Sequence, residues 1–117
     1  MNRDGVDLEG VDASGADLSG IDLRGANLKR ANFRKAQLDG AYLEGADLGG
    51  AHLEGTIFLN TNLRGAQNIT PDQVTGETPP LLCNTPLPDE VERELHVSKD
   101  RDCDRMADVL QTRYPDW

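Results

Sequence analysis

Two cysteines, Cys83 and Cys103, and two histidines, His52 and His96, carry the most distinctive side-chain chemistry in this chain of 117 residues. Their scatter lacks the short ligand spacing of a zinc site. Cys83 and Cys103 stand twenty positions apart, so they are not the Cys-x-x-Cys pair of a dithiol redox centre either. Three readings of the pair stay open: a structural bridge, which leads, two buried free thiols, and reactive chemistry. A bridge would clamp the last helix to the segment before it and stabilise the tail by roughly 3 kcal/mol through loop-closure entropy.

The carboxylates and cations are more numerous and no more convergent. Asp7, Asp12, Asp17 and Asp22 recur every five residues, and short acids at such positions commonly bond nearby backbone groups at turns. Lys29, Arg30, Arg34 and Lys35 form the basic cluster, a candidate contact for a partner or an anion set against a solvated patch. No Ser/His/Asp or Cys/His set and no phosphate-cradling loop is written here, so no enzyme, cofactor or metal is expected. The formal charge of −9 gives no basic footprint for nucleic acid. Residues 1–67 carry ten acids against seven bases and residues 68–117 eleven against five, which places the acidity mainly in the tail.

These residues hang on a repeat. From Val6 to Gly65 the chain reads as twelve units of five, VDLEG, VDASG, ADLSG, IDLRG, ANLKR, ANFRK, AQLDG, AYLEG, ADLGG, AHLEG, TIFLN and TNLRG. The first residue of each is small and the third is Leu or Phe, except Ala13. A helix cannot use this period, because a fifth residue lies about 140° round from the last. A flat strand would swap faces at every odd repeat. A chain that turns a corner every five residues satisfies the pattern, with the first and third residues inward. The fifth residue makes the corner, and Gly holds it in nine of the twelve units, the others being Arg30, Lys35 and Asn60.

Four sides close a square, so one coil should take twenty residues and stack on the next at about 4.8 Å. Outward residues then fall into columns: Arg24, Glu44 and Arg64; Glu9 with Lys29; Arg34 with Glu54. Inside, small Ala13 stacks beside Phe33, with Val11 returning part of the volume.

The units resemble the pentapeptide repeat family, whose consensus of Ala, Asp or Asn, Leu, any residue, then Gly they follow almost literally. The resemblance implies an all-β solenoid, a right-handed quadrilateral β-helix of about three coils with a C-terminal helical tail. It divides the chain into a β-helix over 6–68 and, over 69–117, a capping turn, loop and helix packed on it. Family members that inhibit or protect DNA gyrase by imitating the duplex supply an alternative function, which the near-neutral repeat segment opposes.

Within the tail, Thr70, Pro71 and Gln73 write a helix start, predicting a short helix over 71–75 ended by Gly76 that closes the tube. Thr78, Pro79 and Pro80 read as an extended linker, Leu81 to Cys83 as apolar anchors, and Asn84 to Pro88 as a turn-rich loop. A short helix is expected over 89–95. A second, over 101–113 with Ser98 or Asp100 as cap, should bury Cys103, Met106, Ala107, Leu110 and Tyr114 against an outer wall near Ile57 and Leu59, and Pro115 should stop it.

The tail and its cysteines are similar to those of cyanobacterial and chloroplast members, several of them lumenal. That implies the thylakoid lumen or the periplasm if a leader has been removed, and otherwise the cytoplasm. The expected role is a non-catalytic structural or protein-interaction module whose outer walls dock a protein partner, associated with a photosynthetic or membrane assembly. Val6, Val11 and Ile21 are candidates for end-on association with another copy or a partner, and no stretch is long and apolar enough to span a bilayer.

Overall fold

The computed structural model describes residues 5–113. Along the repeat the backbone winds as a β-helix in which parallel bridges join residues twenty apart, from Asp7 with Asn27 to Asp47 with Gln67. Each bridge uses two hydrogen bonds: Asn27 N–H donates to the Val6 carbonyl at 2.8 Å, and Leu8 N–H donates to the Asn27 carbonyl at 2.9 Å.

Corners follow from local chemistry. The N–H of each first residue reaches back to the third residue of the preceding unit, as from Val11 to Leu8 at 3.1 Å. The fifth residue takes positive φ, +71° at Gly10, as a type II turn requires. Arg30, Lys35 and Asn60 adopt the same conformation at φ 59°, 60° and 56°, against the steric preference of an L side chain. Gly65 is not among the positive-φ residues although the Ala66 N–H still closes that corner on the Leu63 carbonyl at 3.1 Å, and Asn68, in the decaying unit that follows, has φ 65°. The second residue braces the corner, its side-chain oxygen accepting the N–H two residues on, as from Ser14 to Asp12 at 3.1 Å and from Arg34 to Asn32 at 3.1 Å.

Side chains fill the interior. Leu28, Phe33, Leu38, Leu43, Leu48, Leu53, Phe58 and Leu63 are all buried, with Ala26, Ala31, Ala36 and Ala46 between them. Thr56 and Thr61 take inward first positions, and each hydroxyl donates to a carbonyl of the coil below, Phe33 and Leu38, at 2.7 Å.

The 3-10 helix runs over Pro71–Val74, one residue shorter than expected. Gln73 Oε1 accepts the Thr70 N–H at 2.8 Å, and its amide donates to the Leu48 and Ala51 carbonyls at 2.7 and 3.0 Å, so this turn plugs the end of the bore. Val74 is fully buried beneath it.

After the plug the winding resumes. Strand β1 (Ile57–Leu59) pairs in parallel with strand β2 (Leu81–Cys83), Ile57 opposite Leu81, a register of twenty-four. Asn84 has φ 49° where Asn60 has 56°, and its side-chain N–H donates to the Asn60 oxygen at 2.8 Å. The Thr85 hydroxyl donates to the Phe58 carbonyl at 2.7 Å, as Thr61 does to Leu38, and Leu82 and Leu87 are buried in the same core. PLLCN and TPLPD are therefore two further units laid on TIFLN and TNLRG, and Asn84 to Pro88, expected as a loop, lies between β2 and the next helix with no helix or strand of its own.

Helix α1 spans Asp89–Leu95 and α2 spans Cys103–Arg113. Met106 and Leu110 of α2 pack on Ile57 and Leu81, with Leu59, Cys83 and Val109 at the margin. The wall near Ile57 and Leu59 is thus where the tail folds back. Ala107, expected on the buried face, is exposed, and Val109 is half-buried. The helix starts two residues later than expected because Arg101 and Asp102 are engaged elsewhere. Tyr114 and Pro115 lie outside the described residues.

Candidate functional site

Among the described residues Leu, Phe and Ala side chains fill the bore, so contact surfaces on the exterior are the candidates. Two grooves of about 590 and 610 Å³ flank α1 on the outside, the first lined by Asp89, Glu92, Arg93, His96, Val97 and Ser98, the second by residues of Ala66–Thr70 and Pro88–Arg93. His96 ends α1 in a left-handed conformation at φ 53°, and the His52 ring lies on a different wall beside Arg34.

The cysteines are joined. Cys83 and Cys103 form a disulfide with Cα atoms 4.8 Å apart, linking β2 to the first turn of α2. Among the described residues the grouping of metal-ligand types is Cys83, Asp100 and Cys103, and with both sulfurs committed to the bridge it has no thiolate to offer. Asp100 serves the fold, accepting the Asn84 N–H at 2.9 Å.

Beside the bridge lies an arrangement that sequence reasoning missed. Asp102 is 4% exposed; its carboxylate accepts the Leu82 N–H at 3.0 Å and its own N–H donates to the Leu82 carbonyl at 2.8 Å. Arg101 reaches the same carboxylate at 3.0 Å and also donates to the Val74 and Pro80 carbonyls, both at 2.7 Å. One arginine and one aspartate so pin the plug, β2 and α2 together. In the string DRDCDR nothing distinguishes Asp102 from Asp100 or Asp104, and the buried side emerges only on docking.

The basic cluster does not converge. Lys29 lies 3.8 Å from Asp47, Arg34 Nε lies 2.6 Å from Glu54, and Arg34 Nη2 meets His52 Nδ1 at 3.1 Å. Glu9, expected beneath Lys29, is taken by Arg30, because the corner residue leans across the turn. Arg34 and Glu54 pair as their column predicts. Arg24 bonds Asp22 in its own unit and lies over the Tyr42 ring, 5.6 Å from its centroid, while Arg64 reaches Asp89 and Glu92 of α1.

At the N-terminal end Val6 is 47% exposed, and Leu8, Val11, Leu18 and Ile21 are only partly buried. Asp7, Asp12, Asp17 and Asp22 stand on four successive sides and brace their corners. Side-chain and backbone bonds from Ser14 and Ser19 hold Asp12 and Asp17 below the usual carboxylate range. Asp22 is lowered to about 2, first by the Arg24 side chain and then by its N–H. Asp47 is lowered by the Asn68 amide and the Gly49 N–H.

The family model described as pentapeptide repeats matches residues 4–38 and 36–67, in eight copies. No curated protein matches the chain. Among solved structures, a pentapeptide repeat protein of the Arabidopsis thaliana thylakoid lumen is 32% identical, over 78% of this chain and 74% of that one, with a TM-score of 0.41.

Proposed function

The chain belongs to the pentapeptide repeat family, and from that premise we propose that it is a non-catalytic structural module that offers its outer walls to a protein partner. The observation that carries this reading is the bore itself: Leu, Phe and Ala close it from within, and flat exteriors are what remain for recognition.

We read the winding as a right-handed quadrilateral of about three coils over 6–68, with PLLCN and TPLPD laid on its end and the rest of 69–117 capping it. The twenty-residue bridges from Asp7 to Gln67 support that count. Two surfaces suit contact: the N-terminal coil around Val6, Val11 and Ile21, for end-on association with another copy or a partner, and the corner carrying Lys29, Arg30, Arg34 and Lys35. The acidic tail suits a basic partner. The Cys83–Cys103 bridge fits an oxidising compartment, which supports the thylakoid lumen or periplasm if a leader has been removed, with the cytoplasm as the alternative, and a photosynthetic or membrane-associated assembly as the setting.

The test is affinity recovery from native extract followed by titration of the purified partner against wild type and wall variants. A partner whose affinity drops tenfold or more on substitution of exterior residues supports the reading. Recovery of nothing above a denatured control, or a catalysed turnover, overturns it.

A further inference from the structure

Every second-position residue aims both of its backbone groups toward the N-terminal end. Asn32 bonds Val11 and Ala13 this way, Gln37 bonds Ala16 and Leu18, and Tyr42 bonds Ile21 and Leu23, each at 2.8 or 2.9 Å. In the first coil these residues are Asp7, Asp12, Asp17 and Asp22, and among the described residues no coil lies beneath them. Their pairing capacity sits beside apolar surface, since Val6 is 47% exposed whereas Ala26, its counterpart one coil later, is 1% exposed.

A second copy approaching this end head-on would set second residue against second residue, because an antiparallel pair exchanges both bonds across about 5.5 Å. All four sides carry Asp there, so no quarter-turn rotation avoids carboxylate against carboxylate, and like charges directly opposite destabilise a pair. The chain's own next coil shows what the row accepts. Asn27 donates to Asp7 at 3.2 Å and Asn32 to Asp12 at 3.4 Å, and Gln37 and Tyr42 stand on Asp17 and Asp22. None of the four is acidic.

We propose that this edge docks an extended segment of a partner protein, laid along one side of the coil, that places an amide or cationic side chain opposite the aspartate of that side and apolar ones beside it, and that the four aspartates exclude a second copy. The proposal rests on the first coil being a contact surface and names its occupant.

The quadruple variant Asp7→Asn, Asp12→Asn, Asp17→Asn, Asp22→Asn keeps the corner bonds, since an amide oxygen accepts the same N–H, and it stands in for an amide-bearing partner edge. Sedimentation of the full chain at low salt should show wild type as monomer, and an equimolar mixture with the variant should form a heterodimer at least tenfold tighter than wild-type self-association. If wild type dimerises as tightly as the mixture, the exclusion is wrong while the contact surface stands. If neither mixture nor variant associates, the edge has no pairing capacity and the contact surface itself falls. Should the variant fail to fold, wild type alone decides: 1 M salt, with a Debye length of about 3 Å, should strengthen its self-association, and no response to salt overturns the proposal.

Discussion

Asp102 and Leu82 bind each other twice, N–H to carbonyl at 2.8 Å in one direction and N–H to carboxylate at 3.0 Å in the other. Asp102→Ala would strand a buried N–H and leave Arg101 without its carboxylate. A loss of about 2–3 kcal/mol is expected by urea denaturation. Faster amide exchange should appear in α2 before the coils. A loss below about 0.5 kcal/mol would show that the pin contributes little.

The disulfide acts on the same junction. Reduction, or Cys103→Ser, should lower stability by roughly 3 kcal/mol by loop-closure entropy. A thiol count under denaturing, non-reducing conditions should be near zero for the native protein, and two thiols per chain would contradict the bridge.

Acid should weaken the winding. Asp12, Asp17, Asp22 and Asp47 titrate below their ordinary value when folded, so the unfolded chain binds protons first as pH falls. Their contribution is complete above about pH 5 and is lost progressively as pH falls from about 4 through the folded values, about 2 for Asp22. The urea midpoint should fall between pH 4 and pH 2, and Asp22→Asn should remove part of that fall. A midpoint that rises on acidification would reverse the sign.

Corner residues offer a test of backbone conformation alone. Gly40 has φ +68° with open space where a Cβ would go, so Gly40→Ala should cost about 1 kcal/mol through the left-handed penalty. Lys35, at φ 60°, should gain about 0.5 kcal/mol as Gly, the relief being partly offset by unfolded-chain entropy. Thermal melts of the pair should move in opposite directions.

The resumed units should behave as core. Leu87 is as buried as Leu63, so Leu87→Ala should cost 2–4 kcal/mol, about the same as Leu63→Ala. A cost under 1 kcal/mol would mean that PLLCN and TPLPD only rest on the end of the winding.

The period of five, the inward Leu and Ala and the corner Gly were all legible, because each is a demand made on a single unit. The tail was legible only in part. Thr70, Pro71 and Gln73 announced the plug by local capping chemistry, and Ile57 announced the wall that α2 covers. PLLCN and TPLPD escaped because Pro80 and Pro86 replace the expected Ala and polar residues and because the register shifts from twenty to twenty-four. Leu82 and Leu87, five apart with Asn84 between, were the available signal. Asp102 could not be read, since its burial depends on where α2 lands.

Because a wall is assigned by counting residues, length is itself a coordinate in this chain. One extra unit of five inserted before Ile57 would turn Ile57, Leu81 and the helix packed on them together by a quarter turn against the coils before them. A single extra residue in the stretch between Val74 and Leu81, where the chain already departs from the twenty-residue spacing, leaves the count upstream untouched. A change of length at that seam therefore leaves the register of the twelve units before it intact.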